Sequence, residues 1–399
     1  VIKTSHRLGL LFFYKIESES LIKLNLVIAE SCKKLYNKAK VIKSYIRSCL
    51  FMKNPFSLTF GKEPLSLINR NLQNEEIIAS FKADNPDFQV CMITGVRGSG
   101  KTVAMTTIAN SLRKDEQWLV VDLNPERDLL NTLAAELSNN KGIVDYLRNA
   151  QINNISAFGF GIGISQTRDI KDVTVLLNVI LEELTKENKK LLVTIDEITA
   201  NQNVKEFISQ FQIFIRKNYN VFLLMTGLYE NIYDLQNEKS LTFLYRAPKI
   251  ELKPLSIPLI MQKYKEIFAL DDHKALAMAK VTEGYPFAYQ VLGYLCFKNQ
   301  TSYENVIFEF DSCLEEYVYE KIWSELSNMD KVILSAMAKI TSTKVADIRN
   351  VIDMDSNNFN VYRKRLLRKG IVKNSTYGHL SFILPRFREF ILRSNDIDF

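Results

Sequence analysis

The sequence predicts an α/β protein, a parallel sheet with helices on both faces, followed by an all-helical unit and a small C-terminal unit. Three observations lead there. From 88 to 255, apolar β-rich runs alternate with helical patterns, the signature of βαβ units and a parallel sheet. A glycine-rich turn, MITGVRGSGKTVAM at 92–105, joins the first strand to a helix. After Pro254 the pattern is helical until a hairpin at 371–384.

The elements follow in order. Apolar spacing predicts a helix over 65–83 and a turn at Asn85-Pro86-Asp87, then a buried strand over 88–94. KTVAMTTIANSLR reads as a helix to about Arg113, and QWLVVDLNP, 117–125, as a second strand. Helices are expected at 127–138 and 142–150, a strand or hairpin with glycine bulges at 155–166, and an amphipathic helix at 171–188. KKLLVTIDEIT, 189–199, is a buried strand ending in acids. A helix at 203–218, a strand at 220–227 and a last core strand at 249–255 complete this part. Three helices follow, with a long fourth in SYENVIFEFDSCLEEYVYEKIWSEL.

From Met329 two helices, 329–340 and 341–354, precede a third that Ser356 caps and Gly370 ends. The hairpin turns at 375–378. That order, three helices and a hairpin, predicts a winged helix-turn-helix. Its third helix would enter a DNA major groove. Asn357, Asn358, Asn360 and Arg363 are candidates for base edges, and Lys364, Arg368, Lys369 and Lys373 for phosphates. A winged helix that docks a protein is the other reading.

Composition bounds the class. With 47% hydrophobic and 24% charged residues, the 399-residue chain is ordinary globular protein. No segment reaches the roughly 18 apolar residues of a membrane helix. Five scattered cysteines and three distant histidines form no zinc or disulfide framework, so the chain reads as cytoplasmic. Residues 1–51 hold ten Lys/Arg against three Glu, and lack Met, Asp, Pro and Trp, while the first Met is Met52. We read 1–51 as a basic extension arising by read-through of upstream sequence, with a basic helix packed on the body as the alternative. The stretch 326–399 holds 13 basic and 7 acidic residues, a charge bias that suits a nucleic-acid partner.

The chemistry concentrates at Gly95-Val96-Arg97-Gly98-Ser99-Gly100-Lys101-Thr102, a full G-x-x-x-x-G-K-[ST] match. In such a loop the backbone N–H groups of residues 98–101 surround a phosphate, the lysine reaches the β- and γ-phosphates, and the threonine hydroxyl ligates Mg²⁺. Val103 follows at the helix start. This makes the α/β part a P-loop NTPase. A second acid pair suits it: Asp196 for the metal and Glu197 to polarise the attacking water. Thr226, at the end of the next strand, either contacts the water or γ-phosphate or merely caps the strand. Arg246 is either a finger reaching a neighbouring subunit or a surface arginine.

Together these residues resemble the AAA+ and STAND ATPases, in particular archaeal-type and origin-recognition initiator ATPases with a C-terminal winged helix. The resemblance spans Met52 to Phe399. It rests on 95–102, Asp196-Glu197, MTG at 225–227, Arg246 before KIELKPL, and TEGYPFAYQ at 282–290. It implies an ATPase core over 52–255, a helical lid over 256–328 and the winged helix over 329–399. It implies ATP and Mg²⁺ as ligands, with Pro286 on the nucleotide and a homo-oligomer or protein partner besides duplex DNA. The initiators carry an arginine at the lid-helix start, where this chain has Tyr285, Pro286 and Phe287. That departure favours the STAND and archaeal side, with slow hydrolysis and ATP used as a switch.

Overall fold

The computed structural model describes residues 53–141, 143 and 172–397, apart from 60, 62 and 69. The extension at 1–51, the strand or hairpin at 155–166 and, save residue 143, the helix at 142–150 lie outside the described residues.

Five parallel strands form the sheet: β1 (Val90–Thr94), β2 (Trp118–Leu123), β3 (Lys190–Ile195), β4 (Val221–Gly227) and β5 (Lys249–Glu251), in the order β2-β3-β4-β1-β5. β1 and β4 are buried at every residue, as continuous apolar runs between two helical layers must be. β5 is shorter than expected. Leu252 still donates to the Thr94 carbonyl, but Pro254 has no N–H to extend the ladder.

Alternation along the strands sorts the core into two faces. Helices α1 (Asn71–Lys82) and α2 (Lys101–Arg113) cover Cys91, Ile93, Leu192 and Leu224. Helices α3 (Leu129–Ser138), α4 (Val173–Lys186) and α5 (Gln202–Arg216) cover Met92, Val193, Leu223 and Met225. α1 starts at Asn71 and not at 65, because residues 64–67 close a turn, Leu67 N–H on the Pro64 carbonyl. Helix α6 (Tyr229–Gln236) and a 3-10 segment, Lys239–Arg246, return the chain from β4 to β5. Sequence pattern missed both, since neither is long enough to display a period.

Helices α7 (Ile257–Phe268), α8 (Asp272–Val281) and α9 (Pro286–Asn299) form the next unit. The expected fourth helix is broken into a 3-10 turn, α10 (Ile307–Leu314), a π turn at Glu315–Tyr319 and α11 (Glu320–Ser324). The π turn directs Val318 and Tyr319 into the core, where the Tyr319 hydroxyl donates to the Pro385 carbonyl at 2.5 Å.

The C-terminal unit holds α12 (Asn328–Lys339), α13 (Val345–Val351), α14 (Ser356–Arg368), β6 (Val372–Asn374), β7 (Leu380–Phe382) and α15 (Phe387–Ile397). β6 and β7 pair antiparallel, and His379 bridges to Lys344 ahead of α13. The cap of α14 is Asp355 and not Ser356: its carboxylate accepts from the Asn357 and Asn358 N–H groups, leaving Ser356 as the first helical residue. α15 was not expected; it packs Phe387, Phe390 and Ile391 into a core shared by this unit and the preceding helices, from Phe56 to Ile391. The Arg386–Asp311 ion pair ties the two together.

Arg365 fastens α14 to α12. Its guanidinium donates to Asp330 Oδ1 at 2.6 and 3.0 Å and to Ser327 Oγ at 2.6 Å. Asp330 is buried and completes a capping box with Ser327. Asp330→Ala would strand the guanidinium and remove the cap. The expected loss is about 2–3 kcal/mol, the low end for a buried pair because the arginine is partly exposed. Chemical denaturation reads it directly, and a loss below about 0.5 kcal/mol would contradict this role.

Candidate functional site

The strand order places β4 between β1 and β3, with Thr226 beside Ile93 and Met225 beside Ile195. The carboxyl ends of all three strands therefore open at one rim. From β1 the chain turns through Gly95–Gly100 into α2. Gly98 and Gly100 have φ of 75° and 87°, a left-handed region that glycine enters without strain. The turn wraps around Lys101, whose ammonium donates to the Gly95 and Val96 carbonyls at 3.1 and 3.0 Å. Ser99 is buried, with its hydroxyl unpartnered.

Asp196 is the hub of the rim. Its carboxylate accepts from the Thr102 hydroxyl at 2.7 Å and from the Thr226 hydroxyl. The Glu197 N–H also donates to Asp196 and to Thr226 Oγ1, both at 3.1 Å. Thr226 thus positions the acid pair. Glu197 itself has φ 52° and an exposed carboxylate, and a non-glycine residue held there marks a site where the fold overrides local preference.

A cleft of about 890 Å³ lies over this rim, lined by Gly98, Lys101, Thr102, Glu197, Pro286 and Lys369 among others. Pro286 sits against Gly100, so α9 covers the glycine turn. Behind the turn is a smaller, mostly apolar cavity of about 80 Å³, with Ile68, Val103, Leu255 and Tyr289 on its walls. Arg70 braces the turn from outside, donating to the Ser99 carbonyl at 3.1 Å and to the Lys253 carbonyl. Burial lowers the Arg70 pKa to about 10. Its partners are 29 and 183 residues away, so no local pattern announces it.

The fold that carries this rim is similar to those of solved structures. One is a Walker-type ATPase of Pyrococcus abyssi, 15% identical, with a TM-score of 0.58 over 85% of this chain and 99% of that one. Another is the ORC2 protein of Aeropyrum pernix, 13% identical, with a TM-score of 0.56 over 85% and 98%. The chain has the fold of the archaeal Walker-type and ORC-type ATPases. Residues 316–391 also match a family described as a domain of unknown function, DUF8462; the match runs from the π turn into α15. No curated protein matches the chain in sequence.

The remaining candidates come from other parts of the fold. Arg246 is exposed and precedes β5, whose first residue pairs with Met92. It lies at the opposite end of the sheet from the glycine turn. Of the C-terminal candidates, Asn357, Asn358, Asn360, Lys364 and Lys373 are exposed. The other three are engaged. Arg363 bonds Asn374 at 2.6 Å, Arg368 stacks on the Tyr233 ring at 4.5 Å, and Lys369 pairs with Glu230 at 2.8 Å. In this conformation the end of α14 turns onto α6, and Lys369 faces the cleft. Sequence gave no sign of it, because Glu230 is 139 residues distant.

Burial lowers Lys101 to about 8, against Glu197 and Asp196, which favour its charge; Arg97 opposes it. A lysine lowered on folding binds fewer protons in the folded state between about pH 8 and 10.5. Its contribution to stability therefore rises with pH across that window, and its cost is greatest below pH 8. Lys101→Met should melt roughly 2–4 °C above wild type at pH 7, and the gap should shrink by pH 10. Thermal melts without nucleotide at the two pH values check this; a gap that widens with pH would refute it.

Proposed function

We propose that the protein binds ATP with Mg²⁺ in this cleft, hydrolyses it slowly to ADP and phosphate, and uses nucleotide state to control a DNA-binding winged helix formed by α12–α14 and the β6–β7 hairpin. The observation that carries the reading is Asp196 holding the Thr102 hydroxyl across 94 residues of chain, since a hydroxyl and a carboxylate placed together are oxygens that would hold one magnesium ion. That the ORC2 structure is of ADPNP–ADP complexes supports the ligand class.

The chain's own groups divide the work. N–H groups of residues 98–101 hold phosphate oxygens, and the Lys101 ammonium moves from the loop carbonyls to the β- and γ-phosphates. Thr102 and Asp196 would hold the Mg²⁺, whose charge would offset that of the phosphates. On this reading the adenine would lie at the apolar cavity by Val103 and Tyr289, beside Pro286. Glu197 accepts a proton from water as the oxygen bonds to the γ-phosphorus. The bond to the bridging oxygen breaks, and its electrons leave with ADP. Thr226 keeps Asp196 and the Glu197 backbone in place. Arg246 could serve only a neighbouring copy in a homo-oligomer.

DNA recognition would use the exposed first turn of α14, Asn357, Asn358 and Asn360, with Lys364 and Lys373 on phosphates. Arg363 and Lys369 become available only if their present contacts open, whereas Arg368 is exposed while stacked on Tyr233. Those contacts also favour a second reading, in which the winged helix docks protein: the basic end of α14 already packs on α6.

Lys101→Ala should abolish MgATP binding in calorimetry; unchanged affinity would remove the site. Glu197→Gln should retain binding and lose at least about 100-fold in phosphate release. Duplex-DNA affinity should fall steeply with salt, and Lys364→Glu/Lys373→Glu should weaken it and flatten the slope. Absence of DNA binding at low salt would leave the protein-docking reading.

A further inference from the structure

Two consecutive residues at the start of α9 grip the glycine turn. Pro286 meets Gly100, as above. Tyr285, the residue before the helix, is buried, and its hydroxyl donates to the Arg97 carbonyl at 2.5 Å. Its oxygen presses so closely on Gly98 that a Cβ there would lie 2.1 Å away. The α9 end of this grip is itself fixed. The Leu255 N–H donates to the Gly284 carbonyl at 2.7 Å, and Thr282 holds the Tyr285 N–H at 2.8 Å.

The Arg97 carbonyl and the Gly98 N–H belong to one peptide. In a trans peptide the two point in opposite directions. A hydroxyl that holds the carbonyl toward α9 therefore turns the Gly98 N–H away from α9. Gly98, free of Cβ constraints, could otherwise let this peptide flip. Burial also pushes the Tyr285 pKa well up, so the hydroxyl stays protonated and remains a donor.

We propose that Tyr285 is a positioning residue for the phosphate loop, fixing the Arg97–Gly98 peptide so that the Gly98 N–H is presented to a nucleotide phosphate. The α9 unit thereby sets the loop's phosphate-binding geometry through one hydroxyl. This deepens the nucleotide reading and rests on it for the ligand, while the ordering of the loop is testable without any ligand.

Tyr285→Phe keeps the ring and removes only the donor. In hydrogen exchange on the nucleotide-free full chain, the peptide spanning 92–105 should exchange roughly five- to tenfold faster, with peptides from 257–281 unchanged. MgATP and MgADP affinities should fall by about the same factor. Unchanged exchange at 92–105 overturns the proposal. Equal acceleration at 257–281 also overturns it, by reducing Tyr285 to packing. If exchange rises as expected but wild type binds no MgATP, the loop-ordering role stands and the nucleotide reading fails. If wild type binds and Tyr285→Phe binds equally well, the phosphate-presenting role fails.

Discussion

The Asp196 carboxylate is the point on which the rim depends. It accepts hydroxyls from two different elements, Thr102 on α2 and Thr226 on β4, and orients the Glu197 backbone beside it. Each partner arrives there through sheet order. β4 must lie between β1 and β3 for a hydroxyl at its end to reach an acid at the end of β3, and the parallel register aligns those ends. Carboxylate-to-hydroxyl bonds in a partly buried setting are stronger than neutral ones. Moving Asp196 would therefore disturb the glycine turn, the acid pair and the next strand together.

A second constraint is that the glycine turn is enclosed by groups from outside the sheet. Arg70 holds it from the N-terminal side, Tyr285 and Pro286 from α9, and the C-terminal unit through Gly370, which lies against Val96. Arg97 adds an ion pair with Glu325 at 3.3 Å. It is partly exposed and weak on its own. Its value is positional, because Glu325 follows α11 in the rod that leads into α12. The turn is thus where the sheet, the helical unit and the C-terminal unit meet, and the shared core from Phe56 to Ile391 makes the last two one mechanical body.

How much of this was legible follows from the range of each interaction. The glycine turn is written in eight consecutive residues, so it could be read outright. Asp196 and Glu197 could be read because a buried strand ending in acids has a local pattern. The strands around them followed from apolar runs. What escaped was contact between distant segments. Arg70, Tyr285 and Lys369 look like ordinary helix-end residues, and only folding gives them carbonyls and a carboxylate as partners. The misread cap is instructive in another way. Asp355 and Ser356 are both good caps, and the choice depended on which carboxyl or hydroxyl reached the free N–H groups. Likewise α6 and α15 were too short or too terminal for periodicity to reveal them.

Helix α14 joins the two halves of the proposed function. Its 13 residues make a rod of about 20 Å. One end carries exposed asparagines, and the other abuts α6 beside the cleft, with Lys369 on Glu230. In a rigid rod the place where one end rests constrains the path open to the other. On the proposed reading, phosphates entering the cleft compete with Glu230 for Lys369 and bias where that end rests. A duplex taking the basic face biases it in the opposite sense. Linkage then requires the two effects to be equal in size, each ligand changing the other's affinity by the same factor. On that reading a Lys369 held on a nucleotide phosphate is withheld from a duplex, and that exclusion would give the coupling a negative sign.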